Sequence, residues 1–380
     1  MALTQQKLQE QFSVRNILLP LVLGLGVIGY MLYQHNEPGN WQTLLHASPF
    51  WISMALFVLF VRDFGYMYRI RHITDKALSW RQSFHVIMLW EFASCMLPSV
   101  VGGSTVATYI LYKEKIPLGK SLAQVMVTAM LDNFYFILAV PLVLIFTQGQ
   151  FLPEMIGLSD TLRHSLSVAF VISYVMVALY ASIMFYALFM NPRGIKHLLL
   201  RIGRLKPFRR WSESLFRHAN ELLIASKHLR HKSSSYWWRA IISTMFVWTA
   251  RYIIIGCLIA AFTHLNLYDH LLIFSRNLIY KIVLFVSITP GAAGIAELAF
   301  PAFFGSFVGG LTTIVVLFYR LLTHYLYLVV GAIIFPRWMA NVFKHSFAGE
   351  QEQNIVPVLT EHTIPLKPMA VQQPIYEQIA

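Results

Sequence analysis

The feature that most constrains this chain is its series of apolar runs, which are long enough to cross the hydrocarbon core of a bilayer. A transmembrane helix needs about 20 consecutive apolar residues. Inside lipid every backbone N–H and C=O must be hydrogen-bonded within the protein, which favours helices. The sequence therefore predicts an all-α, polytopic membrane protein with about six full spans. These are Ile17–Tyr33, Pro49–Tyr68, Ser121–Thr147, Ser165–Met190, Ala240–Thr263 and Leu311–Phe335.

The composition agrees with a protein that has lipid as its solvent. Charged residues make up 12% of the 380 residues and hydrophobic residues 57%, and the mean hydropathy is +0.58. A soluble domain carries about 25% charged residues, so a water-soluble enzyme is excluded. Cys95 and Cys257 have no metal-binding or disulfide-framework spacing, and the fourteen histidines include no HExxH motif. We expect no metal and no cofactor.

Two further apolar regions, Phe84–Tyr112 and Leu271–Val308, are each interrupted by proline and glycine. The interruptions are Pro98–Gly103 and Pro290–Gly294. Proline removes a backbone donor and breaks a helix, and such a break is tolerated at membrane depth only where protein or a cavity surrounds it. Each region is therefore predicted to form a pair of broken or re-entrant helices.

The distribution of Lys and Arg predicts the orientation, because short cytoplasmic loops are enriched in both. The stretch Asn191–Arg239 contains twelve Lys or Arg, whereas Gln34–Ser48 contains none and Gln148–His164 contains only Arg163. Basic residues also flank both ends of the first broken region. We expect a multi-pass protein of the cytoplasmic membrane with both termini in the cytoplasm.

This orientation places the two broken regions on opposite sides of the membrane, which predicts an inverted repeat. The breaks share the pattern PxxxG, and Asp132 and His324 each lie 34 residues beyond their proline. Inverted repeats of discontinuous helices are common in transporters.

The predicted organisation has three parts. Residues 1–16 form a cytoplasmic N-terminus, residues 17–337 a multi-pass domain, and residues 338–380 a proline- and glutamine-containing disordered cytoplasmic tail. Within the domain, the first half covers residues 17–147, the basic loop residues 191–239 and the second half residues 240–337.

The basic loop has helical spacing from Trp211 to Leu229 and is either an amphipathic helix on the inner leaflet or a simple result of the positive-inside rule. It has no folded nucleic-acid module, so we expect no nucleic-acid partner.

Ionisable residues within the apolar runs are the strongest functional signal, because each costs a few kcal/mol on insertion scales unless it is paired or hydrated. They form either a buried polar pathway or internal salt bridges between the two halves. The residues are Glu91, Asp132, Arg251, Arg276, Lys281, Glu297, Arg320 and His324.

The breaks supply a second candidate feature. A helix that restarts at membrane depth points free N–H groups and a positive dipole end inward, which suits a phosphate. Nearby Arg251, Arg276, Lys281 and Arg320 would strengthen that preference. Alternatively, the glycines of the breaks permit close helix packing. These glycines are Gly102, Gly103, Gly291 and Gly294.

The second break carries a recognisable motif. The segment TPGAAGIAE, which ends at Glu297, is followed by VLFYRLLTHYL around Arg320 and by Gly331. Together they resemble the lysylphosphatidylglycerol synthase transmembrane-region family, and LPSVVGG with Asp132 resembles the matching first-half motif. The resemblance covers about Ile17 to Arg337. The chain departs from the family pattern at Thr128, Ala129 and Ala292, which leaves the substrate open.

The resemblance implies a membrane region that moves a lipid between leaflets, without the soluble domain that aminoacylates the lipid. We expect no enzymatic aminoacylation by this chain. The expected partners are anionic or modified phospholipids and a separately encoded enzyme. The candidate headgroup pathway consists of Pro98, Gly102, Gly103, Asp132, Arg251, Arg276, Lys281, Pro290, Gly291, Gly294, Glu297, Arg320 and His324.

Within this pathway, Arg251, Arg276 and Arg320 are expected to hold the phosphate, and Glu297 and Asp132 to orient them. Two alternatives remain open. One is an integral-membrane transferase acting on a polyprenyl-phosphate lipid, for which only Glu37 is available as an acid in Gln34–Ser48. The other is a non-transporting accessory subunit. The sequence has no Walker motif, so active transport would draw on an ion gradient, a partner or the lipid gradient.

Overall fold

The computed structural model describes residues 14–34, 47–97, 102–148, 160–205, 212–285, 287 and 289–354. All regular secondary structure in these residues is helical, as predicted. The α-helices are α1 Val14–Gln34, α2 Pro49–Ile73, α3 Trp80–Met96, α4 Gly102–Lys113, α5 Leu118–Phe146, α6 Asp160–Phe185, α7 Pro192–Gly203, α8 Ser212–Leu229, α9 Ser234–Ala260, α10 Leu267–Phe285, α11 Ile295–Val308, α12 Thr312–Arg320 and α13 Leu326–Asn354.

Five stretches among the described residues are long and apolar enough to cross a membrane: Pro49–Ile73, Leu118–Phe146, Phe170–Met190, Ser234–Ala260 and Ile295–Val342. The sequence predicted about six; one of these is shorter than the rest, which gives five, and another has different bounds. The apolar part of α1, Leu18–Gln34, is shorter than the others. The predicted span Leu311–Phe335 does not stand alone, because it continues from α11 through a 3₁₀ turn at Gly309–Leu311.

Helices α2 and α9 form an antiparallel pair. At one end the Ser48 N–H donates to the Ala261 carbonyl at 2.8 Å. At the other end the Tyr236 hydroxyl donates to the Ile73 carbonyl at 3.2 Å. Between them Gly65 lies against Val247, where an added Cβ would stand 2.7 Å from a Val247 methyl carbon. A small residue at this point lets the two backbones approach closely.

The first break separates α3 from α4. Helix α3 begins with a capping box, in which Ser79 and Gln82 each accept the other's backbone N–H. It ends at Leu97, whose backbone is extended, and α4 begins at Gly102. Pro98 lies outside the described residues.

The second break precedes α11 and contains three residues with positive φ. Gly291 has φ +54°, Ala292 has φ +55° and Gly294 has φ +82°. This conformation is ordinary for glycine but costs other L-residues about 1–2 kcal/mol. Ala292 is therefore a strained position.

The predicted basic loop contains α7 and α8. Leu222, Ala225 and Leu229 of α8 are buried in one apolar cluster with Val127 and Leu131 of α5. The helical spacing was therefore correctly read over the described side chains, but this apolar side packs on protein and is not free for a lipid surface. Trp211 lies outside the described residues.

The chain divides into two compact units, Met1–Trp338 and Met339–Ala380. Helix α13 contains Pro336 and continues to Asn354, beyond the predicted start of the tail at residue 338. A proline in a membrane-associated helix removes one hydrogen bond but need not end the helix. Residues 355–380 lie outside the described part of the chain.

Candidate functional site

The second helix break contacts the end of α3, where the first break begins. The Gly291 N–H lies 3.4 Å from the Leu97 carbonyl oxygen. A Cβ added at Gly291 would stand 2.3 Å from Cε1 of His324 and 2.7 Å from the Cys95 carbonyl oxygen. Gly291 is thus required both for its positive φ and for the close approach of the α3 terminus. Pro290 precedes this contact directly.

The carboxylate of Glu297 forms hydrogen bonds within the second break. One carboxylate oxygen, Oε2, accepts the Gly294 N–H at 2.7 Å, and the other, Oε1, accepts from Nε of Arg320, also at 2.7 Å. The Arg320 guanidinium also lies 3.4 Å from the Gly291 carbonyl oxygen, and Glu297 is fully buried. The N-terminus of α11, expected to receive a phosphate, thus already holds a carboxylate of the chain itself.

Arg251 of α9 forms an ion pair with Glu91 of α3. Its guanidinium lies 5.4 Å from the ring centroid of Tyr66 and 5.3 Å from that of Trp248. Its Nε is buried and has no hydrogen-bond partner in the part of the chain that the structure describes. The pair connects α9 to the helix that leads into the first break.

Asp132 of α5 takes a different partner from the one expected. It forms an ion pair with Arg69 of α2 and accepts the indole N–H of Trp248 at 2.7 Å. Arg69 is also 3.4 Å from the Thr244 hydroxyl. The observed contacts therefore give Asp132 the role of positioning Arg69.

The ion pair between Arg62 and Asp63 was not predicted from the sequence. Arg62, which is 1% exposed, donates to Asp63 at 2.6 Å and also to the Tyr327 hydroxyl. That hydroxyl donates to Asp63 at 2.7 Å. Arg62 and Arg69 are among the basic residues that precede the first broken region, from which a position at the membrane surface was expected. However, Arg62, Tyr66 and Arg69 follow the i, i+4, i+7 spacing of one helix face. That spacing was the available signal.

Arg276 is not brought to the junction of the breaks. Its Nη1 donates to the Ser306 hydroxyl at 2.7 Å and to the Phe303 carbonyl oxygen at 3.2 Å. These contacts lie near the C-terminal end of α11, whereas Arg320 contacts its N-terminal end. Nine residues of helix separate Glu297 from Ser306, about 13 Å at the usual rise.

Within the part of the chain that the structure describes, Lys281 of α10 is a cation at the junction without a carboxylate partner. It lies within electrostatic reach of Arg251, Arg320 and Glu91, but it forms no hydrogen bond or ion pair with any described residue. His324 is 3% exposed and interacts electrostatically with Arg320 and Lys281. Among the described residues, its Nε2 has no hydrogen-bond partner.

We call these buried and half-buried charges the central charge cluster. It comprises the pairs Arg62–Asp63, Arg69–Asp132, Arg251–Glu91 and Arg320–Glu297, together with Lys281. Five cations thus face four carboxylates. Each arginine has one carboxylate, so the cluster retains one positive charge, which resides on Lys281. The arrangement is suited to receive an anion beside the two breaks.

Comparison with known proteins agrees with the motif. The family described as "Lysylphosphatidylglycerol synthase TM region" matches residues 17–331. A curated relative, a "UPF0104 membrane protein" of Archaeoglobus fulgidus, is 24% identical over 330 residues, which cover 83% of this chain and 95% of the relative. The matched region contains both breaks and the whole central charge cluster. The chain therefore belongs to the lysylphosphatidylglycerol synthase transmembrane-region family and is an integral, multi-pass membrane protein.

Proposed function

We propose that this protein moves a phosphate-bearing or modified lipid between the two leaflets and that Lys281 binds the lipid's anionic headgroup. The observation that carries the proposal is the central charge cluster, which contains one ammonium without a carboxylate at the point where two broken helices meet. A charge at membrane depth costs a few kcal/mol unless it is paired or hydrated, so an unpaired one indicates a function.

The four arginine pairs have a different role in this proposal. Arg251 and Arg320 are expected to hold α9, α12 and the two breaks in position around Lys281, because each is already paired with a carboxylate. A phosphate would therefore complete the charge balance at Lys281. Nearby His324, with its free Nε2, offers a further hydrogen bond to a headgroup.

The contact between the breaks also supports a transporter plan. Transporters often bind their substrate between discontinuous helices of two inverted repeats. We propose this plan here, with the repeats related through the breaks at Pro98–Gly103 and Pro290–Gly294. The excess of Lys and Arg in residues 191–239 supports an orientation with both termini in the cytoplasm.

The experiment is headgroup-resolved lipid translocation in vesicles that contain the purified protein. We compare the wild type with Lys281→Gln across anionic, aminoacylated and polyprenyl-phosphate lipids. The expected result is selective translocation that falls about tenfold or more in Lys281→Gln, since a charge-assisted hydrogen bond contributes about 1.5–3 kcal/mol. The same substitution at the exposed Lys120 is the control and should have no effect.

Arg320→Ala is a poorer first test, because it leaves the carboxylate of Glu297 buried without a cation. Removing one member of a buried ion pair costs about 3–5 kcal/mol, so lost transport would reflect lost folding. If wild-type protein translocates none of the lipids, the flippase proposal is wrong. Equal translocation by Lys281→Gln would instead remove Lys281 from the mechanism.

A second candidate function, that of an accessory subunit, has its own supporting observation. Helix α7 exposes a basic stripe at helical spacing, formed by Arg193, His197, Arg201 and Arg204. Such a stripe fits an acidic partner enzyme. A stoichiometric partner that co-purifies with the protein and is released by charge reversal at Arg201 and Arg204 would favour this function.

A further inference from the structure

A cavity lies away from the central charge cluster, on the lipid-facing side of the α2–α9 pair. It has a volume of about 430 Å³. Apolar side chains form most of its wall, including Phe60 and Phe64 from α2 and Ile242 and Phe246 from α9. These four side chains are 49–70% exposed. Because apolar side chains on the surface of a membrane protein face lipid, the groove opens towards the lipid.

The groove has one polar end. Arg239 is its only charged lining residue, it is exposed, and it forms no hydrogen bond or ion pair with any residue that the structure describes. Tyr68 lines the same end, and its hydroxyl likewise has no hydrogen-bond partner in the described chain. The next residue to Arg239, Trp238, is 64% exposed. Exposed tyrosine, tryptophan and arginine together are typical of the headgroup level of a bilayer.

Contacts between α2 and the segment at the start of α9 fix the two walls of the groove relative to each other at that end. His72 of α2 contacts the Tyr236 carbonyl oxygen through Nε2 at 3.0 Å, and Lys232 forms an ion pair with Asp75. Gly65 allows α2 and α9 to approach closely at the apolar end. The site is therefore present before a ligand binds, which lowers the entropic cost of binding.

We infer that this groove binds one anionic phospholipid, with the phosphate on Arg239 and one acyl chain along Phe60, Phe64 and Phe246. Arg239 and Phe246 are seven residues apart on α9, about 10 Å of helix. The polar end therefore lies at the membrane surface and the apolar end within the hydrocarbon. One unpaired cation and an apolar trough of this length match the charge and shape of one lipid.

The groove is separate from the proposed transport site because the two lie on different faces of α2. Phe60, Phe64 and Tyr68 point outward, whereas Arg62 and Arg69 are buried. The resident lipid is therefore expected to remain when Lys281 is changed. This independence allows the two proposals to fail separately.

The test is native mass spectrometry of protein taken from nanodiscs of phosphatidylcholine with one-fifth phosphatidylglycerol. Wild type and Lys281→Gln should both retain at least one phosphatidylglycerol per chain, the one bound in the groove. Arg239→Gln should lower this retention about tenfold, because it removes one charge-assisted contact. Val61→Trp should abolish retention by filling the groove, and Arg201→Gln, at an exposed arginine elsewhere, should not alter it.

A second measurement uses only the wild-type chain, in case a variant fails to fold. Phosphatidylglycerol with a photoreactive group in its acyl chain should cross-link within residues 60–68 and 239–246. Cross-links spread evenly over all lipid-facing helices would overturn the inference, because they indicate general boundary lipid. Equal retention of phosphatidylcholine, or undiminished retention in folded Arg239→Gln, would overturn it as well.

Discussion

The cation at the second helix break and the cation on the adjacent part of α10 differ in whether they have a carboxylate partner among the described residues. At the break, Arg320 is held by the fully buried Glu297, which also accepts a backbone N–H of the break. On α10, Lys281 lies within electrostatic reach of the same arginine but has no carboxylate of its own among the described residues. The first cation is part of the framework, whereas we propose that the second binds a ligand. Four substitutions test this difference.

The largest effect is expected from Arg320→Ala. It leaves the Glu297 carboxylate buried without its cation, and removing one member of such a pair costs about 3–5 kcal/mol. Thermal unfolding in detergent, followed by circular dichroism, should show a large fall in stability. Arg201→Ala, at an exposed arginine of α7, is the control. A fall of less than about 1 kcal/mol would show that the pair is not part of the framework.

Gly291→Ala should have the next largest effect. The new methyl group would meet His324 and the Cys95 carbonyl, and the residue would keep a positive φ. Overpacking and backbone strain together predict a loss of about 2–4 kcal/mol. The matched control is Gly26→Ala in α1, where an added Cβ meets nothing within 4 Å. Similar stability of the two variants would show that the breaks do not pack closely.

Lys281→Met is expected to raise the free energy of unfolding, whereas the two preceding substitutions lower it. Replacing a cation that has no carboxylate partner by an apolar side chain of similar length removes a desolvation penalty, so we expect stability to rise by about 1–2 kcal/mol. The same unfolding measurement applies, with the exposed Lys120→Met as control. A loss of stability comparable to that of Arg320→Ala would contradict the distinction between the two cations and would indicate an ion pair at Lys281.

The smallest effect is expected from Ala292→Gly. Ala292 has φ +55°, so glycine relieves strain, while the greater freedom of glycine in the unfolded chain offsets part of the gain. We expect a net rise of up to about 1 kcal/mol in the free energy of unfolding. Ala296→Gly, in the first turn of α11, should instead lower it. A destabilised Ala292→Gly would mean that the Ala292 methyl contributes packing at the junction.

The sequence was sufficient for features that depend on local chemistry. Apolar run length predicted helices, because lipid requires backbone hydrogen bonds within each segment. Proline and glycine marked both breaks, since they disrupt helices wherever they occur without a compensating environment. The ionisable residues Asp132, Arg251, Lys281, Glu297 and Arg320 stood out because charges are rare in apolar runs.

The sequence did not show which of these charged residues form ion pairs with each other. Asp132 was expected to orient the phosphate-binding arginines but pairs with Arg69. Arg276 was expected to join them but lies at the other end of α11, beside Ser306. Partners on different helices, such as these pairs 63 and 30 residues apart, are chosen by helix packing, and local patterns carry no information on which helix faces which.

The sequence by itself determined the membrane class, the helical fold, the positions of the two breaks and the family. Only the tertiary structure decided which cations are neutralised, because neutralisation depends on distances of a few ångströms between helices that are far apart in the chain. It buried Arg62 and Arg69, placed Gly291 against Leu97 and gave Glu297 to Arg320. Among the described residues, Lys281 is the one cation of the cluster without a carboxylate partner.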